Sequence, residues 1–397
     1  MVSRGKSLSL VASGLLTACA GCGVDFGYVL PVVVGQAELL LRSVSISEAL
    51  RSGRLSAEQK AKLILIRDVR KYAGEEIGLD IVDNYTLYYD SGGQPVAYNL
   101  SASARDAFRP KTWSFPFVGS IPYLGFFDRP AAVAEFTELK RLGYDVFLYP
   151  VEAYSGFAWL PNPVLSPMLE RDDIFLVDTV MHELLHSTIF RENDTTFNES
   201  LATFVGRTAM VDYFRDRRPD EPEWVEMAAK RNEDTDRYNA FIFELYGELE
   251  SFYASDLDRQ GKIIGREALY QAGRERFVGD VLPLMNIPEL YEWMEAMPGN
   301  NAWMLANYRY NLDLDVFAQV HATTGFDWRE SLRVFGRAAK SRDPYEYLRA
   351  WMAEDAVSMR SLEESTPSPP AAAGDAKAGP KRGPCPFPAY GRRPELP

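Results

Sequence analysis

The sequence predicts an α+β fold that is predominantly α-helical, with a small β region in the N-terminal half. Apolar residues recur at helical spacing through most of residues 172–353, whereas period-two alternation is confined to stretches between 81 and 150. Hydrophobic residues at 46 % and aromatics at 13 % of 397 residues are enough for a large core, one domain or two lobes. A net charge of −13 excludes a nucleic-acid backbone as the expected partner, because phosphates call for a basic face.

Residues 1–18 carry Arg4 and Lys6, an apolar stretch from Leu8 to Leu16, and then Thr17-Ala18 before Cys19. That order reads as an export signal, too short to span a bilayer. Leu16-Thr17-Ala18-Cys19 resembles a bacterial lipobox, which implies a lipidated Cys19, a short tether at 19–23 and attachment to the cell envelope without a spanning helix. The remaining cysteines, Cys22 and Cys385, lie near the ends, so neither a disulfide framework nor a thiolate site is expected. Residues 364–397 are rich in Pro, Ala, Gly and Lys/Arg and read as a disordered tail. The folded unit is then expected at 24–363.

Within it, residues 35–41 read as an amphipathic helix. Ser56-Ala57-Glu58-Gln59 opens another, continued by Leu63, Ile66, Val69 and Tyr72. Residues 85–89 and 96–100, separated by Gly92-Gly93, read as a hairpin. The aromatic segment 112–127 is expected to be irregular packing. A helix over 129–142, a strand at 145–150 and a loop over 153–163 close an N-terminal lobe reaching about residue 170. Ile174, Val177, Met181, Leu184 and Leu185 then mark a mostly buried helix at 172–190. A polar loop at 191–196 leads to a helix from Asn198 to about Phe214. The helical C-terminal lobe (223–360) reads as helices at 223–255, 266–285, 287–296, 302–322 and 327–353.

The chemistry concentrates in His182-Glu183-Leu184-Leu185-His186. On a helix, residues four apart share a face, so both imidazoles can close on one metal ion. The chain has only one other histidine, His321, which reads as a packing residue. A catalytic zinc takes three protein ligands. The third is expected from Glu199, with Glu192 and Asp194 as competing carboxylates; Asp194 either fixes the loop or orients a histidine ring, and Asn198 supports the ligands beside it. Glu183 is expected to be the general base for a metal-activated water.

These residues sit in a wider pattern. Trp113-Ser114-Phe115-Pro116, Tyr123-Leu124-Gly125-Phe126-Phe127, Ala153-Tyr154-Ser155, the five residues 182–186 and Asp194-Thr195-Thr196-Phe197-Asn198-Glu199-Ser200 together resemble the family named bacterial putative aminopeptidases, exported zinc proteins of the gluzincin type. Gly35-Gln36, Asn300-Asn301-Ala302 and Tyr310 also fit. The resemblance implies a zincin-like metallopeptidase with one Zn²⁺ held by His182, His186 and Glu199 on two adjacent helices, Glu183 as base and a peptide as substrate. It makes Tyr154 and Tyr310 the candidate donors to the oxyanion. The chain departs from the family pattern at Ser114, Leu124, Asn162, Leu185 and Ser187, with no ligand lost. The rival expectation is a non-catalytic zinc-containing lipoprotein acting as a binding or scaffold protein, for which an intact Glu183 has no use.

Overall fold

Capping chemistry sets most helix starts. Ser45, Ser56, Asp128, Asp172, Asp194, Asp258, Asn300 and Asp327 each accept a backbone N–H from the turn that follows. Such bonds satisfy donors that a helix leaves open at its N-terminus. The computed structural model describes residues 26–81, 83–115, 119–151, 161–309 and 313–353. The expected signal segment, Cys19 and the tail at 364–397 lie outside the described residues.

In chain order the helices are α1 (Phe26–Arg42), α2 (Ile46–Arg51), α3 (Ala57–Tyr72), α4 (Arg129–Arg141), α5 (Asp173–Thr188), α6 (Thr195–Arg217), α7 (Pro222–Tyr253), α8 (Arg259–Arg276), α9 (Asn301–Tyr308), α10 (Leu314–Thr323) and α11 (Trp328–Lys340), followed by a helix over 344–353. None is long and apolar enough to cross a membrane. The fold is predominantly α with a minor β component, as the sequence predicts.

The strands form three small sheets. β1 (Val44–Ser45) pairs antiparallel with β2 (Leu87–Tyr89), which runs parallel to β8 (Val164–Leu165). β4 (Trp113–Phe115) and β5 (Gly119–Ile121) are antiparallel partners. β3 (Ala97–Ser103) lies between β6 (Leu124–Phe126) and β7 (Asp145–Val151), antiparallel to both, with Ala97 opposite Val151 and Ser103 opposite Asp145.

Strand β7 is buried on both faces. Its alternating side chains separate two cores: Val146 and Leu148 join Tyr98, Leu100, Phe136 and Leu139 beneath α4, while Phe147 and Tyr149 join the cluster built by α7, α8 and α9. The largest cluster gathers α3, α5, α6, α10 and α11. Helix α5 lies in it with Ile174, Leu176, Val177, Val180, Met181, Leu184 and Leu185 all buried. The histidine-bearing helix is therefore a core element, which fixes where its two imidazoles can go.

Several expectations need correction. Residues 85–89 and 96–100 hold strands that are not a hairpin: β2 and β3 belong to different sheets. Alternation encodes a strand's faces but not its partner, and the seven-residue match with β7 decides the pairing of β3. The segment 112–127 is not wholly irregular, since Trp113 and Phe115 lie on β4 and Phe126 on β6. The helix expected at 302–322 is two helices, because Asp313 adopts the left-handed region (φ 54) where a helix cannot continue. Residues 287–296 form two short 3₁₀ turns, Pro288–Leu290 and Glu292–Ala296, rather than an α-helix.

One buried ion pair joins β7 to the C-terminal helices. The Nη1 and Nη2 atoms of Arg266 on α8 donate to the two carboxylate oxygens of Asp145 at 2.6 and 2.9 Å, and the Asn301 N–H at the start of α9 donates to the same carboxylate at 2.7 Å. Arg266 and Asp145 are 1 % and 8 % exposed. Removing one partner strands the other charge, so Arg266→Met is expected to cost about 3–5 kcal/mol of folding free energy, measured by denaturant unfolding.

Candidate metal centre

Helices α5 and α6 are joined by the short loop 189–194 and pack antiparallel. The loop is built by named contacts. Ile189 ends α5, its N–H bonding to the Leu185 carbonyl at 2.8 Å. Asn193 takes a left-handed φ of 61°, a conformation asparagine tolerates. The Asn198 side chain spans the loop, accepting from the Arg191 N–H and donating to the Arg191 carbonyl, both at 2.8 Å. The Arg191 guanidinium donates to the carbonyls of Ala339, Ser341 and Arg342, which ties the loop to the end of α11.

Asp194 caps α6: it accepts the Phe197 N–H at 3.0 Å and the Arg191 Nε–H at 3.1 Å. Its carboxylate is engaged in fixing the loop, which replaces the alternative that it orients a histidine ring. The cap also starts α6 three residues earlier than expected, so Glu199 lies in the second turn rather than the first.

That placement brings three ligand atoms together. His182 Nε2 and His186 Nε2 are 3.3 Å apart; Glu199 Oε2 lies 3.4 Å from the first and 3.7 Å from the second. With zinc–ligand bonds of about 2.0–2.1 Å, a tetrahedral site has ligand–ligand edges of about 3.3–3.4 Å. Two edges of the triangle match that value, and the third, between His186 and Glu199, is longer at 3.7 Å. His182, His186 and Glu199 therefore form a group able to hold one metal ion. Glu192, the other competing carboxylate, is not among them.

The charges respond to this closeness. Burial works against the Glu199 carboxylate, but hydrogen bonds from both histidines hold its pKa far below the ordinary carboxylate range. Burial would lower His186, yet the hydrogen bond and charge of Glu199, with the charge of Glu183, raise it. Glu183 lies on α5 between the two ligands, and its Oε2 is buried with no hydrogen-bond partner among the described residues.

Four further residues surround the centre. Asp178, one turn before His182, has its pKa raised to about 6 by burial, partly offset by the charges of His182 and Arg207. Gly206 on α6 faces it: a Cβ there would sit 2.5 Å from Asp178 Oδ1, 3.0 Å from the Asp178 carbonyl and 3.2 Å from His182 Cβ. The Tyr123 phenol has its pKa pushed far up, first by burial and next by the charge of Glu199, with Tyr149 and Glu183 adding to the rise. Arg309 lies with its guanidinium carbon 5.8 Å from the Tyr123 ring centroid. Asp178 had a legible signal, a carboxylate inside an apolar run four residues before a histidine. Tyr123 stood in a motif of the family pattern that assigned it no role, and Gly206 and Arg309 had no signal, because their roles depend on contacts across the chain. The candidates Tyr154 and Tyr310 lie outside the described residues. His321 is buried away from the group, bonded to Ser331 Oγ at 2.8 Å and packed on Trp328.

Two outcomes follow from this geometry. Gly206→Ala forces α5 and α6 apart at the seam behind His182, with an expected loss of about 1–3 kcal/mol of stability and weaker metal binding, read by unfolding and by metal titration. For pH, the raised His186 stabilises the metal-free fold fully below the ordinary imidazole value of about 6.5, and that contribution is lost as pH rises through its folded pKa. Glu199 titrates only in acid and adds no slope near neutrality. A metal requires unprotonated rings. The difference in Tm between metal-loaded and metal-free protein is thus expected to widen between about pH 6 and 8 in thermal melts.

A family model described as "Putative aminopeptidase" matches residues 27–344. No curated protein and no solved structure matches the chain.

Proposed function

The chain belongs to the putative aminopeptidase family, and on that premise we propose that it is a zinc-dependent peptidase of the gluzincin type, an aminopeptidase that hydrolyses peptide bonds with Glu183 as general base. The observation that carries this reading is the triangle of His182, His186 and Glu199, with an unengaged carboxylate oxygen of Glu183 on the same helix. A structural site has no use for that fourth group.

When bound there, zinc supplies a Lewis acid that lowers the pKa of water to about 7 and polarises the scissile carbonyl. The protein does the rest. His182 and His186 stay in place because α5 is packed within the core, and Glu199 because Asp194 and Asn198 fix the loop before it. Glu183 takes the proton that the attacking water loses, and returns it to the amine as the carbon–nitrogen bond breaks. Tyr123 stays protonated across the neutral range, since burial and nearby carboxylates oppose its ionisation, so it acts as a hydrogen-bond donor beside the centre. Tyr154 and Tyr310 are the donors that the sequence proposes for the developing oxyanion. The same reading keeps the protein outside the cytoplasm, lipidated at Cys19 and attached to the envelope.

Glu183→Gln tests the mechanism. Peptide turnover is expected to fall at least about 10²–10⁴-fold, the scale of a lost general base, with zinc content unchanged by elemental analysis. His186→Ala is expected to lose zinc and turnover together. Undiminished hydrolysis by Glu183→Gln would remove the mechanism.

A further inference from the structure

Arg309 follows the last residue of α9 and is 6 % exposed. Two contacts fix its place. Ser200, the residue after Glu199, donates its hydroxyl to the Arg309 carbonyl at 3.3 Å. The guanidinium lies over the ring of Tyr123, whose ionisation is opposed by the charges of Glu199 and Glu183. Arg309 thus lies against Ser200, next to a metal ligand, and against Tyr123, yet it is neither a ligand nor the base. Its Nη1 is buried and has no hydrogen-bond partner among the described residues.

A desolvated cation without a fixed anion is costly, and the cost is removed when a ligand brings the negative charge. A neutral carbonyl would satisfy the hydrogen bond but leave the charge uncompensated. A carboxylate satisfies both, because its two oxygens match the planar fork of a guanidinium. The Tyr123 ring supports the cation from one side without competing for its N–H groups.

We propose that Arg309 receives a carboxylate of the substrate, which makes short peptides with a free C-terminus, or with an acidic side chain near the cleaved bond, the preferred class. This rests on the peptidase reading above, and it adds a specificity-determining residue to it. The two sources share one chemistry, and the test separates them.

The experiment is calorimetric titration of the zinc-loaded full chain with three non-hydrolysable probes: a leucyl-alanine methyleneamine isostere with a free carboxylate, its C-terminal amide, and the amide of the leucyl-glutamate isostere. The free acid is expected to bind at least about tenfold more tightly than its amide, the scale of a charged hydrogen bond. Arg309→Met is expected to bind both alike, and Arg309→Lys, which keeps the charge without the fork, to retain part of the preference. Recovery of affinity by the glutamate amide assigns the carboxylate to a side chain; failure to recover it assigns the C-terminus. Equal binding of all three probes by the unsubstituted protein overturns the proposal, as does an acid preference unchanged in whichever Arg309 variant folds. Binding is read without turnover, so hydrolysis without acid selectivity sinks the Arg309 assignment alone. Acid-selective binding with no hydrolysis of any peptide sinks the peptidase reading alone.

Discussion

The approach of α5 to α6 at Gly206 sets the distances on which the metal centre depends. A side chain there would meet the carboxylate and backbone of Asp178 and the Cβ of His182 at once, so only glycine lets the two helices lie this close. Because the helices run antiparallel, closeness at residues 178 and 206 is carried along the pair to residues 182–186 and 199. The turn between them holds the other end of the same lever. Asp194, Asn198 and Arg191 close the loop and anchor it to α11. Glu199 thus reaches the two imidazoles through rigid elements rather than through a flexible loop, which is the condition for a preorganised site.

That geometry puts three groups of opposed preference within 3.7 Å of one another. Without a metal, a proton on histidine and the charge on Glu199 balance each other, which is why one pKa rises and the other falls. A divalent ion can replace the proton at the same place. The site is therefore stable in either state, and proton competition governs which is populated. Asp178, raised to about 6 behind His182, adds negative potential on the side of the seam away from Glu199.

What could be read from the sequence follows from how local each determinant is. His182, Glu183 and His186 lie within one and a half helical turns, so periodicity alone places them together. Glu199 was legible because a short polar loop constrains the next helix, although the cap at Asp194 moved the helix start and with it the turn that bears the ligand. The partners of β2 and β3 were not legible: a strand's alternation specifies its faces, while its neighbours here lie more than twenty positions away in the chain. Tyr123 and Arg309 are separated from each other by most of the domain. Tyr123 belongs to a motif of the family pattern, but nothing near either residue announces that they meet beside two histidines and a glutamate.

The chain buries two arginines that invite comparison, and the comparison separates structure from function. Arg266 is 1 % exposed and is matched by a bidentate carboxylate that also accepts the first N–H of α9. Around it, Asn301 receives the hydroxyls of Tyr253 and Tyr270 and donates to the Ala104 carbonyl. This network holds β7, α8 and α9 in fixed relation, with the Asp145 carboxylate answering the charge of Arg266. Arg309 is buried almost as deeply, but it faces an aromatic ring, and its Nη1 has no hydrogen-bond partner among the described residues. The incomplete one stands beside the metal ligands and the unengaged Glu183 oxygen. These two groups of opposite charge fit a reaction in which the attacking water gives its proton to Glu183 while the substrate brings a carboxylate to Arg309.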